Sequence, residues 1–319
     1  MIVDFLLAGL GMAILLWAGE FLVRGAVNLS LRLGIPALLV SLTVVAFGTS
    51  APELLISVKA VLEGVPGLAL GNVVGSNIAN VLLILGVPAL LFTLGAAGDS
   101  RRNFLLMLAA TGLFVGLAFL GPITWWHGAL LLAGLVLILI DAARSALAHR
   151  HANGQGEAEP EEVSLEEADP SMRGWQIGAY LVAGLIGLPL GADLLVDSSV
   201  GIARAFGLSE TVIGLTLVAI GTSLPELATT VMAALRRHAD VALGNVIGSN
   251  MFNLLGIIGV AALVGPIPVD PGILRVDLWV MLAASLALAP FAIRTLEMSR
   301  VTGAVLLIAY AVYLYLILA

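Results

Sequence analysis

The 319-residue chain contains no cysteine, only four histidines, and few charges, with 11% of its residues ionisable as Asp, Glu, Lys or Arg. The first absence excludes disulfides and thiolate metal sites. His127, His149, His151 and His238 fall at the ends of apolar stretches or between them, so no imidazole ligand stands in mid-stretch. Scarcity of charge, with 60% hydrophobic residues and a mean hydropathy of +1.10, excludes a soluble domain.

What the chain has instead is a series of apolar runs. A membrane-crossing helix needs about 20 such residues. Ten segments qualify, at 2–23, 36–62, 66–93, 102–121, 123–141, 174–199, 210–236, 240–264, 275–293 and 301–319. The first lacks a basic leader and a small-residue cleavage site, so it reads as a membrane helix rather than a signal peptide. The expected class is an all-α membrane protein. The net charge of −7 comes mostly from one stretch carrying Glu157, Glu159, Glu161, Glu162, Glu166, Glu167 and Asp169. It lies in a hydrophilic linker, 143–172, between a first unit at 1–142 and a second at 173–319. Such a composition predicts a solvated, poorly ordered segment. Threading ten spans puts eleven of the fourteen Lys and Arg residues on one side and leaves Lys59, Arg204 and Arg275 on the other. The positive-inside rule makes the first side cytoplasmic and both termini external.

A shift of 173 residues lays VAFGTSAPELL on VAIGTSLPELA and LGNVVGSNIAN on LGNVIGSNMFN; from Val40 to Gly86, 25 of 47 positions match. Such identity within one chain is a duplication. Five spans per half is an odd number, so the second half enters the membrane from the opposite side. The expected architecture is therefore ten transmembrane helices in two inverted five-helix repeats, with the matching motifs facing each other near mid-membrane.

Glu53 and Glu226 fall deep in the second and seventh spans, where an ionised side chain costs several kcal/mol without a partner. Pro52 and Pro225 withhold an amide hydrogen from the carbonyls of Gly48 and Gly221, which predicts broken helices 2 and 7. Thr49 and Ser50 precede Glu53 by four and three residues, as Thr222 and Ser223 precede Glu226, so their hydroxyls share its helix side. In the following spans Ser76 and Asn80, like Ser249 and Asn253, are four apart on one face. Carboxylate, amide, hydroxyl and carbonyl oxygens suit a hard cation such as Ca²⁺ or Na⁺. Gly71 and Gly75, with Gly244 and Gly248, read as close helix packing. Glu20, Asp193 and Asp197 read as interfacial charges, and Trp125 and Trp126 as interface anchors.

GTSAPE with GNVVGSNIAN, and GTSLPE with GNVIGSNMFN, closely resemble the two alpha-repeats of the calcium/cation antiporter superfamily, nearest to prokaryotic sodium/calcium exchangers. The resemblance covers essentially the whole chain. It implies Ca²⁺/Na⁺ exchange by alternating access across the inner membrane, with inorganic cations and lipid as partners, no cofactor beyond the transported ions, no nucleic acid, and a monomer as working unit. It also implies ion ligands at Glu53, Glu226, Ser50, Ser223, Ser76, Ser249, Thr49, Thr222, Asn80 and Asn253 and at the carbonyls of Ala46 and Ala219, and a sliding of spans 1 and 6 across the other eight. Asn253 departs from the aspartate common at its place, leaving two carboxylates rather than three. Proton-coupled relatives lack GTSxPE, so sodium is favoured, with H⁺ or K⁺ as the alternative co-ion. A channel would share the oxygen-lined site but need no counter-ion. An intramembrane enzyme would need a nucleophile or metal that the spans do not offer.

Overall fold

Apolar runs this long become helices because lipid offers no partner to backbone N–H and C=O groups, which must then bond within the segment. A computed structural model describes residues 2–32, 50–94, 100–152, 169, 171–235, 239–294 and 296–318. The helices are α1 (Ile2–Arg32), α2 (Ala51–Leu62), α3 (Pro66–Phe92), α4 (Arg101–Ala118), α5 (Trp125–Ala152), α6 (Gly174–Phe206), α7 (Glu210–Thr222), α8 (Leu224–Leu235), α9 (Ala239–Phe252, continued by Asn253–Ile257 and Ile258–Val264), α10 (Ile273–Ile293) and α11 (Arg300–Leu318). Eight of these are long and apolar enough to cross a membrane, and the bent pair α7–α8 makes a ninth. The expected span 36–62 is described from residue 50 onward, as α2. Among the described residues no strand forms.

Several boundaries differ from expectation. α1 was expected over 2–23 and α6 over 174–199; they run on to Arg32 and Phe206. Arg24, Arg32 and Arg204 therefore lie within helices rather than in connecting loops. Past the apolar stretch the helix continues because polar side chains stabilise it in the interface, as the i,i+4 pair Glu20–Arg24 does at 2.8 Å. α5 likewise extends to Ala152, into the segment read as linker. Glu157, Glu159, Glu161, Glu162, Glu166 and Glu167 lie outside the described residues.

Large apolar side chains face outward as well as inward: Trp17, Leu137, Val301 and Tyr315 are each at least 67% exposed. In water such a surface would aggregate, whereas lipid is its natural solvent. The best-buried helices are α3 and α9, with 83% and 72% of their apolar windows covered, and they are the two that carry the matched GNVxGSN motifs. Around them the packing repeats itself. The second half of α3 meets α11 where a Cβ on Gly303 would lie 2.8 Å from the Gly86 carbonyl; α9 meets α5 where a Cβ on Gly128 would lie 2.6 Å from the Gly259 carbonyl. Gly86 and Gly259 are 173 residues apart. Two isolated backbone bridges follow the same rule, Leu94 with Met298 and Ile123 with Ile267. Each ties a loop of one half to a loop of the other, and each pairs loops that the threading puts on the same membrane side.

α1 and α6 lie along each other through small residues. A Cβ on Gly11 would lie 2.9 Å from the Gly191 carbonyl, and one on Gly184 would lie 2.6 Å from the Leu22 Cβ. Gly71 and Gly75 bring α3 against α7, where added Cβ atoms would run into the backbone oxygens of Thr211 and Leu215. These contacts match the small-residue packing expected of that pair. For Gly244 and Gly248, nothing among the described residues lies within 4 Å of an added Cβ.

Candidate functional site

Each glutamate opens a helix. α2 begins Ala51-Pro52-Glu53 and α8 begins Leu224-Pro225-Glu226, so each carboxylate sits in a first turn, where free N–H groups and the helix dipole favour negative charge. Proline suits this position because its missing N–H has no helical partner to lose there. The expected break in the seventh span is present: α7 stops at Thr222, Ser223 leaves helical geometry with ψ near 8°, and α8 departs at 41°. Ser50 precedes α2 in the same way, with φ −92° and ψ 6°. Neither serine hydroxyl caps its helix; both are buried with no hydrogen-bond partner.

Glu53 and Glu226 are each 1% exposed. They come from different halves yet lie close enough for their charges to repel, and the Thr222 hydroxyl reaches across to hydrogen-bond the Glu53 carboxylate. Thr222 Oγ1 also donates to the Val218 carbonyl at 3.1 Å and to Asn72 Oδ1 at 3.3 Å. Lys59, the basic residue nearest Glu53 in sequence, is occupied elsewhere, with Nζ 2.6 Å from Glu63 and 2.9 Å from Asp193. Among the described residues, then, no cation from a side chain neutralises Glu53.

Asn80 and Asn253 each head a π turn, Asn80–Ile84 and Asn253–Ile257, where the helix admits one extra residue. Such turns recur at functional sites because they re-aim a side chain and loosen the carbonyl ladder. Each glutamate helix packs against the π turn of the opposite half: α2 on 253–257, α8 on 80–84. Six buried oxygens in this region have no hydrogen-bond partner, on Ser50, Glu53, Ser76, Asn80, Ser223 and Asn253. Leaving one such atom unsatisfied costs about 1–3 kcal/mol. Six in one place point to a shared purpose, the binding of a positive group. Ser249 is buried beside Asn250 on α9, and the Ala219 carbonyl accepts from the Ser223 amide at 3.2 Å, with a second lone pair to spare. Thr49 and Ala46 lie outside the described residues. No group of three or more Asp, Glu, His or Cys side chains able to hold a metal occurs among the described residues, so the site carries two carboxylates.

A supporting layer of amides goes beyond the residues named from sequence. Asn72 Nδ2 donates to Ser57 Oγ at 3.2 Å, and Asn245 Nδ2 donates to Thr230 Oγ1 at 3.1 Å. Asn72 and Asn245 are 173 residues apart, as are Ser57 and Thr230, so one device serves both halves. Asn72 also donates to the Glu53 carbonyl at 3.4 Å. Asn80 Nδ2 donates to Asn250 Oδ1 at 2.9 Å, across the halves. The signal for these residues was present, since buried amides recur at the repeat offset, but their partners required coordinates.

Comparison with known proteins gives one consistent answer. The family model described as "Sodium/calcium exchanger protein" matches residues 3–141 and 177–319. The putative antiporter CaxA of Alkalimonas amylolytica is 38% identical over 327 residues, covering 99% of each chain. The sodium/calcium exchanger MaX1 of Methanosarcina acetivorans is 34% identical, over 98% of this chain and 97% of its own. Among solved structures, the sodium-calcium exchanger NCX_Mj soaked with Na⁺ and Sr²⁺ superposes with a TM-score of 0.65 at 32% identity, covering 98% of this chain and 97% of that one.

Proposed function

We infer the mechanism from one premise: this chain belongs to the sodium/calcium exchanger family and is a multi-pass membrane protein. We propose that it is a secondary antiporter exchanging Ca²⁺ for Na⁺ across the inner membrane by alternating access. The observation that carries this reading is the pairing of Glu53 and Glu226, one from each half, within a set of buried oxygens that have no other partner. Oxygen donors without thiolate or imidazole select hard cations.

The ligands we propose are the carboxylates of Glu53 and Glu226, the amide oxygens of Asn80 and Asn253, the hydroxyls of Ser50, Ser223, Ser76, Ser249, Thr49 and Thr222, and the carbonyls of Ala46 and Ala219. Coupling follows from charge. Two bare carboxylates in a closed apolar interface are too costly to move across, whereas one Ca²⁺ or two Na⁺ neutralises them. Competition for the same oxygens then allows either load but not both. Protons can occupy the same carboxylates, so low pH competes with calcium.

In this reading the chain forms ten spans in two inverted repeats, joined by a cytoplasmic linker, with both termini outside and one chain sufficient for function. The two loop-to-loop bridges, each on one predicted membrane side, support that threading. α1 and α6 slide as a pair. Met12 of α1 lies directly over Gly221, just before the break in the site helix, which puts the pair in position to cover one side of the pocket. The test is ⁴⁵Ca²⁺ uptake into proteoliposomes loaded in turn with Na⁺, K⁺, Li⁺ or low-pH buffer. Uptake driven by internal Na⁺ supports the proposal, uptake driven only by H⁺ or K⁺ changes the co-ion, and uptake needing no counter-ion would make the protein a channel.

A further inference from the structure

The pocket amides of Asn80 and Asn253 serve a cation only if they present oxygen rather than NH₂, and an isolated amide has little preference between the two. Asn80 is not isolated. Its Nδ2 donates to Asn250 Oδ1 at 2.9 Å, and Asn250 Nδ2 in turn faces the backbone carbonyl of Asn77 at 3.4 Å. All three residues are 1% exposed, so water cannot substitute for any partner in this chain. A backbone carbonyl can only accept. Asn250 must therefore turn its NH₂ to Asn77 and its oxygen to Asn80, and Asn80 must answer with NH₂, leaving Oδ1 for the pocket, where it has no other partner. Reversing the order would set the Asn250 oxygen against the Asn77 oxygen and forfeit both bonds. The Asn250 amide also lies 4.0 Å from Met107 Sδ on α4, which packs it from behind.

We infer that Asn250 is a positioning residue for the ion site: it transmits the fixed polarity of the Asn77 carbonyl to Asn80 and holds that amide oxygen toward the cation. The chain crosses between halves, from α3 to α9 and back to α3. It has no mirror image, because Asn77, the residue matching Asn250, spends its own Nδ2 on the Val73 carbonyl at 2.8 Å. Asn80 is thus locked by a device that Asn253 does not share.

The inference rests on the calcium reading above, and the experiment separates the two. Ca²⁺ affinity of the purified full chain is measured for Asn250→Leu, alone and in an Asn80→Asp background. A carboxylate has two like oxygens and needs no orienting. Asn250→Leu is expected to weaken Ca²⁺ binding about tenfold in the parent chain, with maximal transport at saturating Ca²⁺ retained, but by less than about twofold beside Asn80→Asp. Equal losses in both backgrounds, or none in either, overturn the inference. Should Asn250→Leu not fold, Asn250→Ser reads the same cycle, because a hydroxyl that donates or accepts fixes no amide polarity. A parent protein that binds Na⁺ but not Ca²⁺ sinks the calcium reading alone, and the cycle is then read with Na⁺. A parent that binds neither overturns both.

Discussion

Exchange of one Ca²⁺ for two Na⁺ moves no net charge, and the site has two carboxylates with which to balance either load. Asn80 and Asn253 contribute oxygen without charge. A third Na⁺ would bring an uncompensated charge into low dielectric, where it is disfavoured. Voltage therefore discriminates the two stoichiometries sharply. Moving one elementary charge through about 100 mV is worth about 2.3 kcal/mol, and about 1.4 kcal/mol is a factor of ten. A three-for-one exchanger would shift its equilibrium calcium gradient about fiftyfold at that potential, and a two-for-one exchanger would not shift it. The assay is the final calcium ratio across proteoliposomes at fixed sodium gradient, with the potential set by a potassium ionophore. The parent protein is expected to give the same ratio at every potential, and Asn253→Asp, which adds a third acidic group, is expected to make the ratio voltage-dependent. A fiftyfold shift in the parent would refute the charge count.

Two further perturbations test the scaffold. Gly71→Ala places a methyl group against the Thr211 carbonyl and 3.0 Å from the Leu215 amide, and overpacking of this kind costs about 1–3 kcal/mol. Thermal unfolding should occur at lower temperature, whereas Gly116→Ala, with nothing within 4 Å, should leave it unchanged or raise it. Tyr313→Phe removes the hydroxyl that donates at 2.9 Å to the buried Asp277 carboxylate, for an expected loss of about 1–3 kcal/mol read by scanning fluorimetry; unchanged calcium affinity in that variant would show the pair to be structural.

Much of the architecture was legible in the sequence because a membrane imposes few choices. Apolar runs become helices, a duplication declares itself by identity at a fixed offset, and Glu53 and Glu226 are conspicuous in lipid. Pro225 announced the break that the structure places at Ser223. Helix ends were less legible: hydropathy falls where lipid ends, but α1, α5 and α6 continue through polar residues into the interface. The π turns at Asn80 and Asn253 carry no residue signature, since an extra residue in a helix depends on how its neighbours pack. The hydrogen bonds of Asn72, Asn245 and Asn250 were illegible for a similar reason. Their partners lie up to 173 residues away, and only the folded chain brings them within reach.

The central claim is that Glu53 and Glu226 form one site rather than two. Calorimetric titration of the purified chain with Ca²⁺, compared with Glu53→Gln and Glu226→Gln, tests it most directly. The account predicts a single Ca²⁺ per chain in the parent and its loss in both variants. Two Ca²⁺ per chain, with each variant retaining one, would contradict it.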